Sequence, residues 1–97
     1  MAPETTPWNV QDHLQTPEQC ALYLEAVLAE AGDDPTFIAR AIGDVARARG
    51  MSKIARDAGV TREGLYKALS EEGNPSFGTV LKVLSALGLR LHVELAE

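Results

Sequence analysis

The sequence is short of several residue types, and each shortage excludes a class of protein. It has a single cysteine, Cys20, so no disulfide can form within the chain, and this is typical of a reducing compartment. No apolar run approaches the roughly 20 residues of a membrane-spanning helix. The opening residues, MAPETTPWNV, hold neither a basic region nor an apolar stretch, so we expect no signal peptide. Together these features predict a cytoplasmic protein without membrane contact.

Residues for catalysis and metal binding are also scarce. The two histidines, His13 and His92, lie far apart, and neither has cysteines or carboxylates at ligand spacing around it. Cys20 has no candidate base close in sequence. It falls on a predicted helix face, where we expect it to be buried as a small apolar residue. Gly59 and Gly64 lack the Lys-Ser/Thr signature of a phosphate loop. We therefore expect neither an enzyme nor a cofactor.

Aromatic residues number only five in 97 residues, so Leu, Ile, Val and Ala must supply the core of a single domain. This composition favours helices packed on helices, and capping residues divide residues 16–88 into five of them. Residues 1–15 are predicted to be an irregular arm, which Trp8, Val10 and Leu14 can pin to the body. The predicted N-caps are Thr16, Asp34, Ser52, Thr61 and Ser76, and the predicted stops are Gly32, Gly50, Gly59 and Gly88. Three helices show an inward face at helical spacing: Ala21, Leu24, Val27, Leu28 and Ala31; Ile38, Ala41, Ile42 and Val45; Phe77, Val80, Leu81, Leu84 and Leu87.

Lysine and arginine are missing from the first 36 residues, which hold seven acidic residues. Residues 37–70 reverse this balance, with seven basic residues against three acidic ones, although the whole chain carries a formal charge of -5. A basic middle between acidic flanks predicts a surface for a polyanion such as nucleic acid. The alternative is a set of ordinary solvated helix faces.

The segment MSKIARDAGVTREGLYKALS, residues 51–70, has the spacing of a helix-turn-helix. Ala55 is small where a second helix must approach, Gly59 allows a left-handed turn, and Val60 is apolar just after it. The inward positions of the two helices are Ile54, Ala58, Leu65 and Leu69. The alternative interpretation is a pair of helices that pack against each other and do not bind DNA.

The second helix of such a motif enters the DNA major groove with its N-terminal end first. Its outward positions are Thr61, Arg62, Glu63, Tyr66 and Lys67. Arg62, Glu63 and Tyr66 are the candidates for base edges, where Arg62 can pair with guanine and Glu63 can accept from cytosine. Tyr66 can instead border the core or bind phosphate, and Glu63 can instead lie over its own helix N-terminus. Phosphate contacts are expected from Ser52, Lys53, Thr61 and Lys67.

The tail, LRLHVEL at residues 89–95, alternates between apolar and polar residues as a strand does. A single strand needs a partner for its backbone groups. We expect the same strand of a second copy in a homodimer, with another protein's sheet edge or the segment near Trp8 as alternatives. The apolar side comprises Leu89, Leu91, Val93 and Leu95.

The strings ARARGMSKIAR, REGLYKAL and GNPSFGTVLKVLSALGL closely resemble the addiction-module antidote proteins, and the resemblance extends over nearly the whole chain from Trp8. It implies an all-α, λ-repressor-like fold of the xenobiotic-response-element (Cro/repressor) superfamily. It also implies a HigA-type antitoxin that neutralises a small basic RelE/ParE-type toxin. Members of this group are expected to bind their own operator as dimers and to repress their own transcription.

Two rival functions remain open at this stage. The first is a stand-alone prophage-type repressor that has no toxin partner. The second is a protein-interaction module that masks a partner and has lost DNA binding. The acidic first 36 residues favour docking of a basic toxin, and strand addition at Val93 and its neighbours is the rival docking mode.

Overall fold

The protein is all-α over the part of the chain that its computed structural model describes, residues 14–70 and 73–96. Five helices follow one another: α1 (Pro17–Ala31), α2 (Pro35–Arg49), α3 (Met51–Ala58), α4 (Arg62–Ala68) and α5 (Phe77–Ala86). None of these helices has the length and apolar character needed to cross a lipid bilayer. The predicted arm lies outside the described residues except for its end, where Leu14 is fully buried as expected.

Four of the five predicted caps are confirmed. The side chains of Thr16, Asp34, Thr61 and Ser76 each accept a hydrogen bond from the backbone N–H three residues later, which satisfies one of the helix's free donors. The prediction for Ser52 is wrong because α3 begins at Met51, two residues before the start that a Ser52 cap implies, so Ser52 lies inside the helix. Gly50 precedes it with φ 104°, a conformation that suits glycine, and no side chain caps this helix.

The core forms around α3, which packs against α2, α4 and α5, while α1 packs against α2. Ile54, Ala55 and Ala58 carry this packing from α3, and all three are buried. Tyr23 joins α1 to α2 by donating its hydroxyl to the Asp44 carboxylate at 3.2 Å. Burial, and then the neighbouring Asp44 charge, raise the pKa of Tyr23. Cys20 is buried as predicted, and burial raises the pKa of its thiol.

Some of the predicted inward faces extend beyond the core. In α5, Val83 and Leu84 are buried, as is Leu87 at the C-terminal cap, but Leu81 is exposed and Phe77 is 67% exposed. The packing of α5 accounts for its buried part, because α3 is the helix with which α5 makes its main contacts. In α1, Ala21 and Leu28 are exposed as well, and among the described helices α1 makes its main contacts with α2. Exposed apolar residues therefore accumulate on α1 and α5.

Two glycines mark close approaches of the backbone. A Cβ atom on Gly43 would lie 3.1 Å from the Leu69 carbonyl oxygen, so α2 and the end of α4 pack closely there. A Cβ atom on Gly73 would overlap the carbonyl oxygens of Lys67 and Ala68. The chain therefore passes directly across the C-terminal end of α4, where a larger residue has no room.

Residues 89–96 form neither helix nor strand in the single chain. Gly88 turns the chain with φ 82°, and the Leu89 N–H donates to the Leu84 carbonyl at 2.8 Å. Beyond Leu89, no backbone group of the tail hydrogen-bonds to any described residue. The predicted strand is thus absent from the isolated chain, as expected for a segment without a paired neighbour.

Candidate nucleic-acid interface

A tight turn, residues 59–61, joins α3 to α4. Gly59 has the left-handed conformation predicted for it, with φ 77° and ψ 28°. Its N–H and that of Val60 return to the carbonyls of Arg56 and Ala55, which closes the end of α3. Thr61 then caps α4, its hydroxyl accepting from the Gly64 N–H at 2.9 Å. These contacts fix the direction in which α4 leaves α3.

The two sides of α4 differ sharply in environment. Leu65 and Leu69 are each only 1% exposed and hold the helix against the core. The opposite side is exposed, and it brings together all the residues predicted there: Thr61, Arg62, Glu63, Tyr66 and Lys67. Among the described residues nothing covers the outer side of α4, so that side can contact a ligand.

Arg62 and Tyr66 form a pair on this surface. The guanidinium carbon lies 5.3 Å from the centre of the tyrosine ring, within the range of a cation–π interaction. The arginine Nη2 also lies 3.5 Å from the phenol oxygen. Glu63 stands in the first turn of α4, where a negative charge is favourable. The Tyr66 side chain is therefore outside the core, and its ring contacts the guanidinium of Arg62.

The basic residues differ in whether an acidic neighbour compensates them. Lys53 lies 3.4 Å from Asp57 on the same helix, and Arg56 contacts the same carboxylate at 3.9 Å. Such exposed pairs contribute little to stability and exchange readily for a phosphate. Lys67 forms no ion pair with any residue that the structure describes. Ser52 is exposed in the first turn of α3, near Lys53 but without a capping role.

Two further basic residues serve the fold. Arg47 forms a 2.9 Å salt bridge with Asp44, which also accepts the Tyr23 hydroxyl. Arg49 donates to the Gln15 carbonyl ahead of α1. The number of basic residues in residues 37–70 therefore overstates the positive charge that is available to a ligand. The available charge is concentrated on α3 and α4.

Another part of the molecule carries an apolar groove of about 1020 Å³, which was not predicted from the sequence. Leu22 and Leu28 line it from α1, Ile38 from α2, Val80 from α5, and residues 89–94 from the tail. The missed signal is Leu22, an apolar residue on α1 that lies off the predicted inward face. The predicted apolar side of the strand, Leu89, Leu91, Val93 and Leu95, begins partly buried and ends almost fully exposed, with Val93 at 90% and Leu95 at 88%.

Fold and surface together define a small helical domain whose most exposed short helix carries arginine, tyrosine and lysine side chains. A family model described as "Probable addiction module antidote protein" matches residues 4–95. An uncharacterized protein of Haemophilus influenzae is 51% identical over 94 residues, which cover 97% of this chain and 95% of that protein. No solved structure gives a significant match. The chain belongs to the family of probable addiction module antidote proteins.

Proposed function

We propose that this protein is a DNA-binding antitoxin that neutralises a small basic RelE/ParE-type toxin and represses its own operon. The observation that carries the DNA-binding half is the outer side of α4. Arg62, Tyr66 and Lys67 are exposed there together, and Leu65 and Leu69 anchor the opposite side. α3, the turn and α4 then act as a helix-turn-helix in which α4 enters the major groove.

Each side chain has a chemical role in this proposal. Arg62 pairs with the O6 and N7 atoms of a guanine while its guanidinium stays against the Tyr66 ring, since it is the only guanidinium on α4. Glu63 accepts from a cytosine N4 group or stays over the helix N-terminus. Ser52, Lys53, Thr61 and Lys67 bind phosphates, which fix the register without reading sequence.

The antidote family implies a toxin partner in general. We assign toxin binding to α1, whose Glu18, Glu25 and Glu30 are exposed and which carries no lysine or arginine. An acidic surface of this kind speeds association with a basic protein and favours the correct partner. Because α1 lies against α2 and α4 lies against α3, toxin and DNA can occupy different parts of the molecule. As a regulatory protein, the antitoxin has no catalytic role.

Co-expression with the small basic protein encoded beside it tests the antitoxin half. We expect the neighbour alone to stop growth, and co-expression to restore growth and to yield a stable complex on pull-down and sizing. A neighbour that is neither toxic nor bound would favour a stand-alone repressor. A stable complex in which no DNA binds, even at low salt, would favour a module that only masks its partner.

A further inference from the structure

The tail and the groove beside it form a surface without a partner in the single chain. Val93 and Leu95 expose nearly all of their side chains, and the backbone beyond Leu89 makes no hydrogen bond with described residues. Monomeric proteins rarely leave contiguous apolar surface of this kind uncovered. An exposed strand-like segment also offers its N–H and C=O groups to another chain. The tail therefore requires an occupant that supplies both backbone pairing and apolar contact.

The charges of the tail identify that occupant. Arg90 and Glu94 lie two residues before and two residues after His92, and neither forms an ion pair with a described residue. If two copies of the tail pair antiparallel with His92 opposite His92, then Arg90 of each copy lies directly opposite Glu94 of the other. Opposite charges in such facing positions stabilise a sheet, and like charges destabilise it. Parallel pairing would instead place each charge beside its own kind.

We propose that residues 89–95 form a two-stranded antiparallel ribbon with a second copy of this chain, in the register that opposes Arg90 and Glu94. The same register pairs Leu91 with Val93 and Leu89 with Leu95 on the other face, so both copies contribute to one apolar face. A two-fold axis at His92 makes the contact the same from both sides, as in most homodimers. This inference gives the expected dimer its register, and it does not depend on the toxin.

The groove explains how so short a ribbon becomes stable. An isolated two-stranded ribbon is marginal in water unless its apolar face is covered. Leu22, Leu28 and Val80 line the groove beside the tail; in the single chain Leu22 and Leu28 are exposed and Val80 is half-buried. The apolar face of the ribbon covers them in the dimer, which removes the exposed apolar surface of the groove and of the tail from water.

Charge exchange at the two facing positions tests the register. Sedimentation equilibrium should show the full-length chain as a dimer, and R90E and E94R should each dimerise about tenfold more weakly, because each replaces two attractions by two repulsions. The double variant R90E/E94R should regain dimerisation, and an equal mixture of the two single variants should form heterodimers. R90E makes the chain more acidic and E94R makes it less so, so a general charge effect would move their affinities in opposite directions.

A matched pair of apolar variants tests the groove. Leu22 and Phe77 are 66% and 67% exposed, but only Leu22 lines the groove. Leu22→Ser should weaken dimerisation about tenfold, and Phe77→Ser should leave it unchanged; circular dichroism would confirm that both variants are folded. A monomeric wild-type chain, single charge variants that dimerise like wild type, or an equal loss in Phe77→Ser would each overturn the proposal. None of these outcomes would change the DNA contacts assigned to α4, which can be measured on one half-site.

Discussion

The guanidinium carbon of Arg62 lies 5.3 Å from the centre of the Tyr66 ring, one turn further along the exposed side of α4. A planar cation held over an aromatic ring loses less side-chain freedom when it binds a flat partner than a fully mobile one does. The pair therefore prepares Arg62 for contact with a base edge before DNA arrives.

Replacement of Arg62 by alanine should weaken binding to the operator by about 1–3 kcal/mol and should relax sequence preference at one base pair. Arg40→Ala is the matched control. It removes the same charge from an exposed position on α2, outside the surface formed by α3 and α4. Fluorescence anisotropy with the operator and with single-base variants measures both effects. Equal losses in the two variants would mean that Arg62 contributes only net charge.

Lys67→Ala should weaken binding to all DNA sequences about equally. Its ammonium group forms no ion pair with described residues and is available to a phosphate. Loss of one phosphate contact should lower the slope of log K against log salt concentration by roughly one unit. Titrations at several salt concentrations check this value. A loss confined to one DNA sequence, with the slope unchanged, would instead make Lys67 a base-reading residue.

Gly73→Ala should destabilise the fold by about 1–3 kcal/mol, because no room exists for its side chain. The added Cβ atom would lie 2.6 Å from the Ala68 carbonyl carbon and would overlap two carbonyl oxygens at the end of α4. Gly78→Ala is the control within α5, where the nearest atom is the Ser76 hydroxyl at 3.9 Å. It should stabilise the protein by up to about 1 kcal/mol through helix propensity. Urea unfolding measures both changes, and two variants of equal stability would contradict the close approach.

Reversal of an acidic charge on α1 that lies outside the groove, in the variant Glu30→Lys, should slow association with the toxin about threefold at low salt. The effect should shrink as salt rises, because exposed charges are screened. Stopped-flow mixing with the neighbouring basic protein gives the rate. Affinity for the operator should not fall in this variant, since α1 is remote from α4 in the packing order. An unchanged association rate would place the toxin on another surface.

Local chemistry explains which parts of this fold could be predicted from the sequence. Thr16, Asp34, Thr61 and Ser76 cap their helices as predicted because a cap depends on a few neighbouring residues. The left-handed Gly59 was predictable for the same reason. The start of α3 was missed because the residue before it is Gly50, and glycine has no side chain that could cap the helix.

Features that depend on distant neighbours were harder to predict. Phe77 has helical spacing with Leu84, yet Leu84 is buried and Phe77 is exposed, and the sequence does not reveal how far a helix overlaps its partner. The groove was missed because it forms between helices and a tail that are far apart in the chain. The candidate interface was easier, since Arg62, Tyr66 and Lys67 lie within one short helix whose inward side is set by Leu65 and Leu69.

Titration of the wild-type chain with the DNA upstream of its own gene tests the central claim most directly. A shuffled fragment of equal length and composition, at near-physiological salt, provides the comparison. We expect the upstream DNA to bind at least about 10³-fold more tightly than the shuffled fragment, as sequence-specific proteins do. Equal affinity for the two fragments would contradict sequence readout by α4, and the absence of binding to either at low salt would contradict DNA binding altogether.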